Sequence, residues 1–230
     1  MNKKLMILVA GALTALAFMS LAGAASAKET KLKCEGAGAC TFTVDGGETK
    51  FSIVGGDTVK CTGVSGNGSV TNLDASREST TSTVQLLFTN CREQNSGFQF
   101  TCTNTATAGN VTTNVMTGHN VALTTGTEAG VLLTNAGVTF TCAGGFASTQ
   151  VTGSILGESE TKCGSTSKGT ALKQVFNTTG HGLQSLTTYT GTTFKLEGKT
   201  SHTGGGAYAN AAQFGTGTLT FNQSVELTCA

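Results

Sequence analysis

Segment 219–229 alternates, residue by residue, between two kinds of side chain. Every second residue from Leu219 is apolar except Gln223, whereas the residues between them are Thr, Asn, Ser and Glu. Side chains of a β-strand point alternately to the two faces of a sheet, so this period of two predicts a half-buried strand. Segments 40–44, 98–102 and 138–142 show the same pattern. After residue 27, no segment keeps an apolar period of 3.6 for long enough to predict a helix.

Gly- and Asn-rich breaks at 45–47, 65–68, 95–97 and 204–206 separate these runs. Such clusters are typical of turns. The pattern predicts an all-β chain, folded as a single disulfide-stapled β-sandwich or barrel-like domain of about a dozen short strands. The chain has no proline and no charge-rich linker. We therefore expect one domain over residues 28–230, with a soft seam near residue 145 as the only candidate boundary.

The first 27 residues have the layout of a secretory signal peptide. Lys3 and Lys4 precede an apolar run at 5–21, and Ala25-Ser26-Ala27 has the small residues that a signal peptidase accepts. The run is shorter than the roughly 20 apolar residues of a transmembrane helix. We expect cleavage after Ala27, no membrane span in the mature chain, and a secreted, extracellular protein that is released or associated with the cell surface.

All eight cysteines follow this predicted signal peptide. An even number of cysteines in an exported chain predicts disulfides. Metal binding, the alternative, requires close pairs such as Cys-x-x-Cys or cysteines near histidines, and the sequence has neither. We expect four disulfides, no metal ligands and no cofactor.

Spacing indicates which cysteines can pair. Cys91–Cys102 flanks a short glycine turn, and Cys34–Cys40 is a local closure across two glycines. Cys61–Cys142 and Cys163–Cys229 remain as long-range pairs. Because the cysteines share the phase of the apolar residues, we expect these pairs to join facing sheets, although eight cysteines allow many other connectivities.

The order of short motifs between residues 59 and 153 is distinctive. It includes Cys-Thr-Gly at 61–63, Leu-Phe-Thr-Asn-Cys at 87–91 and Phe-Thr-Cys at 140–142. This order resembles a paralogous family of uncharacterised secreted, Cys-containing β-rich proteins of soil actinobacteria. The chain differs at Asn90, which precedes Cys91, and at Met116, where the family tends to have Leu. The resemblance implies export and a disulfide-containing β scaffold, and it implies no activity.

Charged residues make up 12% of the chain, and the formal net charge is +1. Nucleic acids and anionic membrane surfaces are bound through clusters of Lys and Arg. A nearly neutral chain with so few charges therefore predicts neither partner.

Two arrangements approach catalytic motifs. Residues 63–67 resemble the nucleophile motif Gly-x-Ser-x-Gly around Ser65, but the last glycine falls one position early and the motif requires a strand-to-helix turn. A flexible turn between strands is the simpler interpretation. Glu158 and Glu160 would share one face of a strand, whereas glycoside hydrolysis requires two carboxylates across a sugar. We interpret them as a solvated edge and assign no catalytic or cofactor-binding residue.

His181 and His202 lie in Gly-rich loops, and His119 is distant from both in sequence. The two loop histidines could bind a metal if their loops converged, but isolated loop histidines usually face solvent. Sugar binding favours aromatic platforms, and the chain has no Trp and only Tyr189 and Tyr208, which argues against a lectin-like protein.

Thr-x-Thr occurs at 41/43, 101/103, 139/141 and 218/220. Stacked threonine pairs can form ice-binding surfaces, but stacking requires a fixed repeat, and these positions have no common spacing. Threonine is also a good strand former, so ice binding is a minor alternative.

These observations favour a non-enzymatic extracellular protein, a structural or binding module of the cell surface or matrix. Its partner is not identified by the sequence, and an envelope or matrix component is the candidate. The alternative is a secreted hydrolase whose active-site residues lie on several loops. A hydrolase should have a deep polar pocket with converging titratable groups.

Overall fold

The computed structural model describes residues 30–56, 58–95, 98–123, 128–142, 147–162, 169–189, 192–201 and 206–229. The predicted signal peptide at 1–27, Cys163, His202 and the expected seam near 145 lie outside the described residues. Within them, every regular element is a β-strand, which confirms the all-β class. The described segments contain no helix of the length and apolarity needed to cross a membrane.

Strand lengths vary from two-residue pairs to the long final strand. The strands are β1 Thr30–Cys34, β2 Thr41–Gly46, β3 Thr49–Ile53, β4 Thr58–Cys61, β5 Gly63–Thr71, β6 Glu78–Ser79, β7 Thr81–Thr89, β8 Arg92–Asn95, β9 Phe98–Thr103, β10 Val111–Thr112, β11 Met116–Ala122, β12 Glu128–Cys142, β13 Ala147–Lys162, β14 Gly169–Phe176, β15 Thr178–Gly180, β16 Leu183–Gln184, β17 Thr188–Tyr189, β18 Thr192–Thr193, β19 Leu196–Ser201 and β20 Ala209–Cys229.

Several of these short strands lie end to end and act as one longer strand. Together with the long strands β12, β13 and β20 they form eight strands of the main sheet, which we call composite strands. In chain order they are β2 with β3, β4 with β5, β7 with β8, β9 with β10 and β11, β12, β13, β14 with β19, and β20. Each pairs antiparallel with the next. Strand β20 pairs with β14 and β19 on one side and with β2 and β3 on the other. The hydrogen-bonded ladder therefore closes, which is the barrel-like form of the predicted fold.

The main core fills the inside of this closed sheet. Alternate residues of each strand face inward, and they include the buried Val84, Leu133 and Ile155. The rings of Phe42 and Phe221 pack on each other with their centroids 5.2 Å apart. A closed sheet of eight strands has an interior just wide enough to be filled by side chains.

A second apolar cluster lies on the outer face of β11, β12 and β13. Its buried members are Val121, Leu123, Leu132 and Leu156. Leu186, Tyr189 and Phe194 pack against them, because the segment between β14 and β19 crosses the outside of the sheet before the chain returns to it.

The predicted break at 65–68 is wrong, because these residues lie inside β5. A glycine occurs at this position of the strand for a packing reason: the ring of Phe42 occupies the space where a Cβ at position 68 would lie. The glycine therefore permits close approach of an aromatic ring and does not mark a turn.

The predicted Cys34–Cys40 disulfide is present. For the predicted Cys163–Cys229 pair, Cys163 and the side chain of Cys229 lie outside the described residues.

The predicted pairs Cys61–Cys142 and Cys91–Cys102 are wrong, since the structure contains Cys61–Cys91 and Cys102–Cys142. These four cysteines form one row across four neighbouring strands. The disulfides therefore join adjacent strands of one closed sheet and not facing sheets. Both disulfides have a Cα–Cα distance of 4.0 Å, as at the close, non-hydrogen-bonded positions of an antiparallel pair.

Cys91 and Cys102 also lie opposite each other, but at the other kind of position. The Cys102 N–H donates to the Cys91 carbonyl oxygen at 2.9 Å. Opposite residues joined in this way have Cα atoms about 1 Å farther apart than non-hydrogen-bonded pairs. The hydrogen-bond phase of the sheet therefore explains which neighbours in the row are bonded.

Candidate functional site

The interior of the closed sheet contains two cavities, of about 70 Å³ and about 60 Å³. The first is lined mainly by apolar side chains such as Phe51, Phe88 and Ile155. The second includes Phe42 and Phe176 in its lining. The cavities are neighbours, because both are lined by Thr49, Leu86, Leu133 and Gln213.

The polar group that stands out in the second cavity is Gln174. It lies on β14 in the phase of the buried Leu172 and Phe176, and its side chain is 6% exposed. Among the described residues, no donor lies within hydrogen-bonding distance of its Oε1 atom. Its neighbour on β20 is Gly217, which also lines the cavity and contributes no side chain to it. Buried polar atoms nearly always have a partner, so Gln174 is a candidate ligand-binding group.

No motif in the sequence points to Gln174. It could have been recognised from the alternation of β14, because it is a polar residue at an inward position between Leu172 and Phe176. Gln213 and Gln223 give the same signal on β20. Glu93 was also missed: its side chain is 2% exposed and lies in the inward phase of Cys91, opposite Val59.

An open groove of about 370 Å³ on the outside is lined by amides and hydroxyls. Two of these amides are tied to the backbone. The Asn114 Nδ2 atom donates to the Asn135 carbonyl oxygen, and the Gly137 N–H donates to Asn114 Oδ1, both at 2.7 Å. Asn104 makes two similar bonds with the backbone of Thr112. These side chains replace missing ladder bonds, so their first role is to hold irregular strands together.

The described histidines lie in separate places. His119, on β11, is 3.3 Å from Thr134 Oγ1 through Nε2. His181 contacts Thr58 Oγ1 at 3.4 Å through Nδ1 and the Gly56 carbonyl oxygen at 3.2 Å through Nε2. No group of three or more metal-ligating side chains occurs in the part of the chain that the structure describes.

The residues of the two catalytic-like arrangements are also separate. Ser65 lies within β5 and pairs with Asp45 and Leu87, so the expected flexible turn is wrong. Glu158 and Glu160 share the outer face of β13, as predicted. Both are at least partly exposed, as the predicted solvated edge requires. The edge itself is wrong, because β13 pairs with β12 and β14 at Glu158. Glu160 forms an ion pair with Lys173 at 2.6 Å.

The Thr-x-Thr pairs meet across strands in spite of their irregular spacing. Thr43 pairs with Thr220, and Thr103 pairs with Thr141. The four Thr-x-Thr motifs therefore form two couples: the motif at 41/43 lies beside that at 218/220, and the motif at 101/103 lies beside that at 139/141. Each couple is only two strands wide. The strands of the sheet also twist relative to each other, so the two couples do not form one flat ladder of threonines.

Three threonines of the first couple, Thr41, Thr43 and Thr220, belong to a larger uncharged surface, which we call the polar wall. It covers part of the outer faces of β20, β2, β5 and β7, where Thr43 pairs with Asn67, and Asn67 pairs with Gln85. Asp45 on β2 and Leu87 on β7 lie in the next row and are not part of it. Its members carry hydroxyl or amide groups and are exposed or half-buried. They are Thr41, Thr43, Asn67, Ser69, Thr83, Gln85, Thr220 and Asn222.

The fold and these surfaces define a class: an all-β protein with a closed, disulfide-linked sheet, an apolar interior and an uncharged outer wall. Disulfides persist in oxidising compartments, so the three described ones indicate such an environment. No protein-family model, curated protein or solved structure matches the chain.

Proposed function

We propose that this protein is an exported, non-enzymatic structural or binding module, which associates with a neutral component of the cell envelope or extracellular matrix. The polar wall carries this proposal. Its eight members present only hydroxyl and amide groups, with Asp45 and Leu87 in the adjoining row of the same face. Hydroxyl and amide groups bind a neutral, hydroxyl-rich polymer through hydrogen bonds. The resemblance of residues 59–153 to exported actinobacterial proteins points in the same direction.

The hydrogen bonds of the wall hold its side chains in place. Ser69 Oγ and Thr83 Oγ1 are 3.2 Å apart, and Gln85 Nε2 donates to the Thr113 carbonyl oxygen at 2.9 Å. The Thr41 N–H donates to Asn222 Oδ1 at 3.1 Å. A surface whose side chains are already ordered loses less conformational entropy on binding.

The cavity linings also suit binding more than proton transfer. The two interior cavities are mainly apolar, and the outer groove is lined by neutral polar residues and a few small apolar ones. A hydrolase would use converging titratable groups.

Cosedimentation tests this function. The exported, oxidised protein is mixed with envelopes of the cells that produce it, from ~0.05 M to ~1 M NaCl. We expect pelleting that is insensitive to salt, because contacts between neutral groups are not screened by ions. Protein that stays in the supernatant at every salt concentration would exclude envelope association and favour a freely secreted hydrolase or effector.

Two matched variants locate the contact. Asn67→Arg places a long charged side chain at the centre of the polar wall and should leave most of the protein in the supernatant. Thr192→Arg makes the same change on β18, an exposed position outside the wall, and should pellet like the parent protein. Equal pelleting of both variants would move the contact away from the wall.

Ice binding is the second candidate, favoured by the side-by-side Thr43 and Thr220. It predicts thermal hysteresis that Thr43→Lys abolishes. Freezing behaviour equal to that of albumin at the same concentration would exclude it.

A further inference from the structure

The two neighbouring interior cavities have mainly apolar linings, and the second is lined by a buried amide whose oxygen has no partner among the described residues. Gln174 Oε1 accepts no hydrogen bond from the described residues, although its side chain is 6% exposed. Gly215 and Gly217 line the same cavity. The strand opposite the amide therefore contributes no side chain to this part of the lining.

The character of the lining indicates what could occupy this space. Besides Gln174, the second cavity is formed mainly by apolar side chains such as Val84 and Leu133. Its other polar members are Thr49, Ser82, Gln213 and Thr216. An amide oxygen accepts hydrogen bonds and cannot donate them. The molecule that complements Gln174 is therefore apolar over most of its surface and carries a hydroxyl donor.

The volumes limit the size of that molecule. The cavities measure about 70 Å³ and about 60 Å³ and share Leu86, Leu133 and Gln213 in their linings. An apolar protein cavity of about 150 Å³ accommodates benzene. A molecule of that size would occupy both cavities after a rotamer change of the shared side chains.

We propose that the interior of the closed sheet binds a small, mainly apolar alcohol of the size of phenol or a short alkanol. Its hydroxyl group donates to Gln174 Oε1, and its hydrocarbon part lies between Leu86 and Leu133. This site is independent of the polar wall, so the two proposals can fail separately.

Calorimetric titration of the oxidised full protein with phenol, and with benzene as the matched molecule without a hydroxyl, tests the proposal. We expect phenol to bind about tenfold more tightly than benzene, because only phenol gives the buried oxygen a partner. Equal affinities, or no binding of either compound at millimolar concentration, would overturn it. A structure with ordered water on Gln174 that phenol does not displace would do the same.

Variants assign the binding to this site. Gln174→Leu should reduce phenol affinity to the level of benzene while benzene affinity is retained. Ala171→Leu places the same side chain on the exposed outer face of β14 and should change neither. If Gln174→Leu fails to fold, Gly217→Ala adds a methyl group to the lining of the second cavity, with the new Cβ 3.3 Å from Val44 Cγ1. This variant should weaken phenol binding, and unchanged phenol affinity in a folded variant contradicts the site.

Discussion

Phe42 shows how a single side chain determines local structure in this protein. Its ring faces inward from β2, packs against Phe221 from β20, and lies over Gly68 of β5. The three strands are neighbours in the sheet. The contact between one aromatic side chain and one glycine therefore links β2 and β20, which belong to the first and last composite strands, to β5 of the second.

Gly68→Ala should lower the free energy of unfolding by about 1–3 kcal/mol, the usual cost of overpacking a core. The added methyl group would collide with the Phe42 ring and with the Thr83 carbonyl oxygen. Urea unfolding followed by circular dichroism measures the change. Gly47→Ala is the control, because a Cβ there meets nothing within 4 Å. Equal stability of the two variants would contradict the packing account.

Among the described residues, Glu48 is the one whose pKa is clearly displaced from its usual value. Its pKa is lowered, chiefly by the hydrogen bond from Lys60, whose Nζ is 2.6 Å from Oε2. Lys50 contributes from 3.5 Å. A carboxyl group with a lowered folded-state pKa stabilises the fold above its unfolded-state pKa, and this contribution is lost as the pH falls through the folded-state pKa.

Lys60→Met should raise the pKa of Glu48 towards that of an unpaired glutamate. An NMR titration of the Glu48 side-chain carboxyl carbon measures this. Lys33→Met is the control, since Lys33 is not among the groups that shift Glu48. An unchanged pKa in Lys60→Met would show that the ion pair does not persist in solution.

At the scale of strands, the row of four cysteines shows that the register between neighbouring strands determines which cysteines form disulfides. The row begins with Cys61 at the end of β4 and continues with Cys91, which immediately precedes β8. Cys102 on β9 and Cys142 at the end of β12 complete it. Their disulfides join neighbouring strands where one composite strand bends or ends. The disulfides thus link segments 30 and 40 residues apart, whereas Cys34–Cys40 closes a loop of 6.

Replacing Cys102 and Cys142 with Ala should cost about 4 kcal/mol of stability, and replacing Cys34 and Cys40 about 2 kcal/mol, because a longer closed loop restricts the unfolded chain more. Guanidinium unfolding of the two double variants gives the comparison. Loss of Cys34–Cys40 as the more damaging change would contradict the loop-length argument and indicate a native-state role for that pair.

At the scale of the molecule, closure leaves the long strand β20 hydrogen-bonded on both sides. It pairs with β14 and β19 on one side and β2 and β3 on the other, and its last residues pair with β1. Releasing it requires two ladders to open together. The hairpins β15–β16 and β17–β18 lie outside the closed sheet as separate two-stranded sheets.

Hydrogen exchange should therefore be slowest in β20, β12 and β13, and fastest among the strands in β15–β18. Exchange followed by mass spectrometry at peptide resolution measures the order. Exchange of β20 as fast as that of β17–β18 would show that the sheet opens at its closing strand.

The strand content of this chain could be predicted because alternation is a local property. Leu219, Phe221 and Leu227 are inward whatever strand lies beside them, since a strand with one buried face repeats every two residues. The Cys34–Cys40 disulfide was predictable for a similar reason, because six residues of chain keep the two sulfurs close.

Partners of distant strands were not predictable in this way. Cys91 lies between two cysteine neighbours, and only the hydrogen-bond phase at Cys102 selects Cys61. The cavity at Gln174 is lined also by Gly217, which pairs with Gln174 although more than 40 residues of chain separate the two.

The sequence by itself thus determined the class of structure and the inward or outward phase of the strands that alternate clearly, because both follow from the period of neighbouring residues. The Gly-rich β5 was not among them. Tertiary structure alone decided closure, disulfide partners, the interior cavities and the polar wall. Each of these depends on the register between strands far apart in the chain, and register is set by the simultaneous fit of many cross-strand pairs such as Phe42 with Phe221 and Gln174 with Gly217.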